Sequence, residues 1–125
     1  MNIQEKIKQQ IAENNIILYM KGNAELPMCG FSARAVSILK SFKMPFATVD
    51  VLQDEEIRQG IKIYSNWPTI PQLYVKGEFV GGCDIVTEMF DTGELAELVG
   101  AERQQAVEEP AVVDGSTLQI ENRLA

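Results

Sequence analysis

Two sulfur nucleophiles, Cys29 and Cys83, are the residues of this 125-residue chain best suited to covalent or metal chemistry. Cys29 stands in Pro27-Met28-Cys29-Gly30-Phe31-Ser32, between a strand-like apolar run and a helical pattern that begins at Gly30. A cysteine at a helix start faces backbone N–H groups without intrahelical partners and the positive end of the macrodipole. Its thiolate is stabilised there and its pKa falls. Lys21, at the end of the preceding strand, adds a cation that the short loop returns to the same spot. Free cysteines are more often buried and inert than reactive, so position rather than residue type singles out Cys29.

Ser32 fills the place where dithiol chemistry needs a second cysteine, so a Cys-X-X-Cys disulfide cannot form and the thiol must work with an external one. Cys83 is the only internal alternative, and its main chain rather than its sulfur is the expected working part. The chain has no histidine, which excludes Ser-His-Asp and Cys-His catalysis and every His-containing zinc site. Two cysteines are too few for a disulfide scaffold or a four-thiolate metal centre. A thiolate-bound metal would need ligands from outside the chain.

Two further segments offer backbone rather than side-chain chemistry. Trp67-Pro68-Thr69-Ile70-Pro71 lies between a helix exit and a strand, where an X-Pro bond can expose main-chain N–H and C=O groups. Base rates favour trans at Ile70-Pro71 unless its surroundings dictate otherwise. Gly81-Gly82-Cys83-Asp84 presents bare amides at another helix start, a place suited to a carboxylate, and Asp84 can accept an ammonium group. An ordinary tight turn with Asp84 as helix cap explains the same letters.

The elements that must position these groups follow from periodicity. Ile3, Ile7 and Ile11 mark an amphipathic first helix ended by Asn14-Asn15, and Ile16 to Met20 reads as a strand buried on both faces. A loop from Asn23 to Met28 precedes the second helix, whose inner stripe is Phe31, Ala35, Leu39 and Phe42, stopped at Met44-Pro45. Phe46 to Val51 is a second strand. Asp54-Glu55-Glu56 open a third helix with the stripe Ile57, Ile61 and Tyr64. Gln72 to Val75 and Phe79 to Gly81 form a hairpin around Lys76-Gly77-Glu78. A fourth helix carries Ile85, Met89 and Phe90, Asp91-Thr92-Gly93 breaks it, and Glu94 to Val99 forms a last short one. The order predicts an α/β fold with a mixed sheet flanked by helices. Residues 1–100 form one domain, and 101–125 read as an acidic, mobile tail.

A net charge of −7 argues against a nucleic-acid surface. No apolar run approaches the roughly 20 residues of a membrane-spanning helix. Met1 to Lys6 lacks the features of a secretory or transit segment, so a cytoplasmic protein is expected.

Lys21, the Pro27–Ser32 run, Trp67-Pro68-Thr69-Ile70-Pro71-Gln72-Leu73-Tyr74-Val75 and Gly77-Glu78-Phe79-Val80-Gly81-Gly82-Cys83-Asp84 together resemble the monothiol, CGFS-type glutaredoxins, in their single-domain bacterial form. The resemblance spans residues 1–100. It implies a thioredoxin-like fold with a four-stranded mixed sheet, a cis Ile70-Pro71 bond and a glutathione groove that includes Phe31. Lys21 and Arg58 would hold the glycyl carboxylate, the Thr69-Ile70 main chain the cysteinyl part, and Cys83 and Asp84 the γ-glutamyl end. Arg58 has plainer readings: solvation, or an i,i+4 pair with Asp54.

The resemblance further implies a [2Fe-2S] cluster. Such a cluster takes four ligands, usually thiolates. Cys29 and one bound glutathione from each of two protomers supply that number, which makes the expected species a cluster-bridged homodimer that hands its cluster to apo iron-sulfur acceptors. Two alternatives use the same groove: a monothiol oxidoreductase acting on protein–glutathione mixed disulfides, and an iron-sensing adaptor paired with a BolA-type protein.

Overall fold

The computed structural model describes residues 2–101. Its elements are α1 (Ile3–Glu13), β1 (Ile16–Met20), α2 (Gly30–Ser41), β2 (Ala47–Asp50), α3 (Glu55–Ser65), β3 (Gln72–Val75), β4 (Glu78–Gly81), α4 (Cys83–Thr92) and α5 (Glu94–Val99). The expected tail lies outside the described residues except for Ala101.

The sheet order is β2-β1-β3-β4, with β2 parallel to β1 and both β3 and β4 antiparallel to their neighbours. Every residue of β1 is buried because helices cover both faces. Ile16, Leu18 and Met20 pack with Ala35, Val36 and Leu39 of α2, Val86 of α4 and Leu95 and Val99 of α5. Ile17 and Tyr19 face the opposite way, toward Ile7 and Ile11 of α1 and Ile57 and Ile61 of α3. The period-2 alternation of β1 thus feeds two cores rather than one.

Local signals set the element ends. Asn2 caps α1 reciprocally with Glu5, and the Asp54 carboxylate accepts from the N–H groups of Glu56 and Ile57 to cap α3. Lys76 and Gly77 both take positive φ, 53° and 86°, as a tight hairpin turn requires, so β4 begins at Glu78.

Four expectations are corrected. Phe31 belongs to no inner stripe: it is 64% exposed, while Ala35 and Leu39 of the same stripe are buried. The first turn of α2 meets the chain just after β1 through Ser32, and Phe31 lines a cleft there instead of joining Ala35 and Leu39. Tyr64 is 36% exposed and only edges the α3 core, its ring 6.0 Å from that of Tyr74. On α4 the buried residue is Val86, whereas Ile85 and Phe90 are exposed. Gly82, not Asp84, is the N-cap of α4, so Asp84 lies in the first turn, where its charge still favours the dipole.

Candidate functional site

Three chain breaks meet at one end of the sheet: the exit of β1, the segment before β3 and the start of α4. Between them lies a cleft of about 420 Å³ lined by Lys21, Phe31, Arg58, Lys62, Trp67, Pro68, Thr69, Ile70, Pro71, Gly82, Cys83, Asp84 and Ile85. Its size suits a small-molecule ligand. All seven groove residues expected from the sequence, Lys21, Phe31, Arg58, Thr69, Ile70, Cys83 and Asp84, line this one cleft.

Cys29 itself does not line it; its neighbours Lys21 and Phe31 do. It is the N-cap of α2, extended at φ −157° and ψ 142°, and its side chain closes no capping hydrogen bond. The thiol pKa nevertheless falls below its ordinary value. Burial pushes it up, but the N–H groups of Ser32 and Phe31, the Ser32 hydroxyl and the Lys21 charge outweigh that. Ser32 is fully buried, and its Oγ accepts from the Lys21 N–H at 3.1 Å.

The loop after Lys21 is closed rather than open. Met28 N–H donates to the Lys21 carbonyl at 2.8 Å, Gly22 bridges Pro27, and Asp50 Oδ1 accepts from Gly22 N–H at 2.9 Å. Lys40 Nζ donates to the Ala24 carbonyl at 3.2 Å. These bonds, together with Ala24, which is buried in the core shared with Ala35, Val36 and Leu39 of α2, fix the approach to Cys29.

Opposite them, the Ile70-Pro71 peptide is cis. Gln72 is fully buried, and its side-chain amide donates to the carbonyls of Trp67 and Thr69 at 3.1 and 3.2 Å, which holds the segment in shape. At Gly82 an added Cβ would meet the Pro71 carbonyl oxygen at 3.3 Å and Trp67 Nε1 at 3.4 Å. The glycine therefore keeps bare backbone at the cleft.

Arg58 does not pair with Asp54. Its guanidinium meets Glu55 at 3.8 Å, Asp54 meets Lys6 at 4.0 Å, and Arg58 Nε is buried without a hydrogen-bond partner among the described residues. Such a donor at a cleft wall is a place for an acceptor from a ligand. Lys62 was missed by the sequence reading. The signal was present in its position four residues after Arg58, which puts both cations on one face of α3.

A four-stranded mixed sheet between helices, with one activated thiol at the start of α2 and a cis proline directly before β3, defines a thioredoxin-like protein with a monothiol motif. The sequence model of the family described as Glutaredoxin matches residues 16–80. Glutaredoxin 4 of Escherichia coli (strain K12) is 59% identical over 95 residues, 76% of this chain and 83% of that protein. An uncharacterized monothiol glutaredoxin of Synechocystis is 55% identical over 94 residues, 75% and 88% of the two chains. Reduced apo GrxS14 of poplar matches with a TM-score of 0.70 at 47% identity, covering 78% of this chain and 90% of that one. The chain belongs to the glutaredoxin family, as a monothiol glutaredoxin of bacterial type.

Among the described residues no helix is long and apolar enough to cross a membrane.

Proposed function

We propose that this monothiol glutaredoxin binds glutathione in the cleft and carries a [2Fe-2S] cluster as cargo between two copies of itself, with Cys29 as the protein ligand. The observation that carries the reading is the pairing of one activated thiol with a cation-walled cleft whose Arg58 Nε lacks a partner among the described residues. Glutathione brings carboxylates for such a wall and a thiol for the same neighbourhood.

The ligand chemistry supports sharing. Among the described residues no group of three or more His, Cys, Asp or Glu is arranged to hold a metal ion. Cys29 as a lone thiolate falls short of the four ligands a cluster takes, so a tripeptide thiol and a second subunit complete the set. A cluster held partly by diffusible ligands is suited to transfer, to apo iron-sulfur proteins directly or through a BolA-type partner. Lys21, Arg58 and Lys62 would receive the glycyl carboxylate, the Thr69-Ile70 main chain the cysteinyl unit, and the Cys83 and Asp84 end the γ-glutamyl group. Phe31 would wall the groove beside the thiol.

The test is the visible spectrum after reconstitution with iron, sulfide and glutathione. Charge-transfer bands are expected in the wild type and in Cys83→Ser but not in Cys29→Ser or without glutathione. Colour that survives loss of Cys29 would overturn the assignment.

The lowered Cys29 pKa favours a second use of the same cleft. The thiolate attacks the glutathione sulfur of a mixed disulfide and releases the protein thiol. A second glutathione thiolate then takes the bound glutathione away as glutathione disulfide and returns Cys29. Turnover in a glutathione-coupled disulfide assay, lost in Cys29→Ser, measures this activity.

A further inference from the structure

Apart from tyrosine, the polar residues buried among the described ones are Ser32 and Gln72. A buried polar side chain costs free energy unless its hydrogen bonds are made. Ser32 makes its bond beside the thiol, to the Lys21 N–H. Gln72 opens β3, directly after the cis Ile70-Pro71 peptide, in a strand whose four residues are all buried.

Both ends of the Gln72 amide are used. Nε2 donates to the carbonyls of Trp67 and Thr69, and Oε1 accepts from the Tyr74 hydroxyl at 3.1 Å. Residues 72 and 74 share one face of β3 by the strand period of two. The hydroxyl settles which way round the amide lies, because an oxygen committed to Tyr74 leaves the nitrogen for the two carbonyls. Burial raises the Tyr74 pKa to about 12, so its hydroxyl remains a donor at neutral pH. The Tyr74 ring is packed in turn, 5.8 Å from Tyr19 and 5.3 Å from Phe79, and Phe79 lies 5.9 Å from Trp67.

Residues 67–71 belong to no helix or strand, yet all five line the cleft. No ladder fixes their shape, so the bonds from Gln72 do. Gln72 itself is not part of the cleft lining.

We propose that Gln72, oriented by Tyr74, is a positioning residue of the cleft: it fixes the Thr69-Ile70 main chain in the conformation that receives a peptide ligand, while touching no ligand itself. The consequence for glutathione rests on the function proposed above; the bracing of the loop does not.

Trp67 reports on the loop without any ligand, since it is the single tryptophan of the chain and its carbonyl is one of the two that Gln72 holds. The experiment compares full-length wild type with Gln72→Leu, Tyr74→Phe and Ile61→Val, by acrylamide quenching of Trp67, glutathione calorimetry and the pH midpoint of Cys29 alkylation. Ile61 is fully buried in the core that holds Tyr74 and lines no part of the cleft, so Ile61→Val lowers stability without touching the brace. In Gln72→Leu quenching should rise roughly twofold as the loop opens locally. Glutathione affinity should fall roughly tenfold, the scale of one lost hydrogen bond. Tyr74→Phe keeps the two donors and loses the bond that orients them, so affinity should fall roughly threefold. The alkylation midpoint should not move, because the opposing influences on that thiol, burial against Ser32, Phe31 and Lys21, are left intact.

Wild-type quenching in Gln72→Leu overturns the proposal, as does a change of equal size in Ile61→Val. A midpoint that shifts along with affinity also overturns it, since the effect would then lie at the thiol. Should Gln72→Leu not fold, Tyr74→Phe carries the test on the same terms. If quenching rises but glutathione binds neither wild type nor variant, the brace stands and the glutathione reading falls. If quenching rises while glutathione binds both equally, that reading stands and Gln72 is a structural residue only.

Discussion

The Ser32 hydroxyl joins the end of β1 to the first turn of α2 by accepting from the Lys21 N–H at 3.1 Å, with the serine fully buried. The same hydroxyl helps to lower the Cys29 pKa. One side chain therefore serves both the cleft cation that follows β1 and the thiol that caps α2.

Replacing Ser32 by Ala should cost stability, because the Lys21 N–H loses its acceptor in a partly buried place. The expected loss is about 1–3 kcal/mol in urea denaturation. The midpoint of the iodoacetamide alkylation profile should also move to higher pH. A variant as stable as the wild type, with the same alkylation midpoint, would show that the hydroxyl has no such role.

Cys29 gives stability a pH dependence of definite sign. Its folded-state pKa is depressed, despite burial acting the other way, by the Ser32 and Phe31 N–H groups, the Ser32 hydroxyl and the Lys21 charge. The contribution is complete above the unfolded-state pKa and is lost as pH falls through the folded one. Under reducing conditions the stability difference between wild type and Cys29→Ser should therefore change in favour of the wild type as pH rises through that interval, then level off. A difference independent of pH would contradict the depressed value.

Gly22 and Gly30 flank the thiol loop and should respond oppositely to alanine. Gly22 has φ 88°, and an added Cβ would strike the Leu26 carbonyl and come within 2.7 Å of the Met28 nitrogen. Gly22→Ala should lose about 1–3 kcal/mol through backbone strain. At Gly30 a Cβ meets nothing within 4 Å, so Gly30→Ala should be neutral or stabilising by up to about 1 kcal/mol. Thermal melts of the two variants decide the matter.

Arg58→Leu should separate binding from stability. The substitution removes a buried Nε that lacks a partner among the described residues, and its ion pair with Glu55 is exposed enough to be worth little. Denaturation midpoints should stay level or rise while glutathione affinity falls, as read by calorimetry. Lost stability with unchanged affinity would make Arg58 a structural residue.

Order and type of the elements were legible in the sequence because each carries its own signal. Ile7 and Ile11 keep helical spacing, Ile16 to Met20 is continuously apolar, and Lys76-Gly77 supplies a hairpin turn. The place of Cys29 at a helix start was legible too, since a cysteine before a helical pattern and a serine three residues later are local facts. The seven residues expected for a groove line one cleft, and they were readable only through a resemblance across separate motifs.

Contacts between those motifs were beyond the sequence. Phe31 keeps the same spacing as Ala35 and Leu39, yet it is exposed and lines the cleft while they are buried in the core. Lys62 joins the cleft because α3 packs with Arg58 and Lys62 facing the start of α4, and Gly82 displaces Asp84 as cap through backbone geometry alone. Sequence alone determined which residues carry sulfur, charge and helical or strand period, because these are properties of neighbours along the chain. Tertiary structure decided which of them share one cavity, because that depends on how Lys21, Arg58 and Asp84, far apart in sequence, are brought together by packing on both faces of a single sheet.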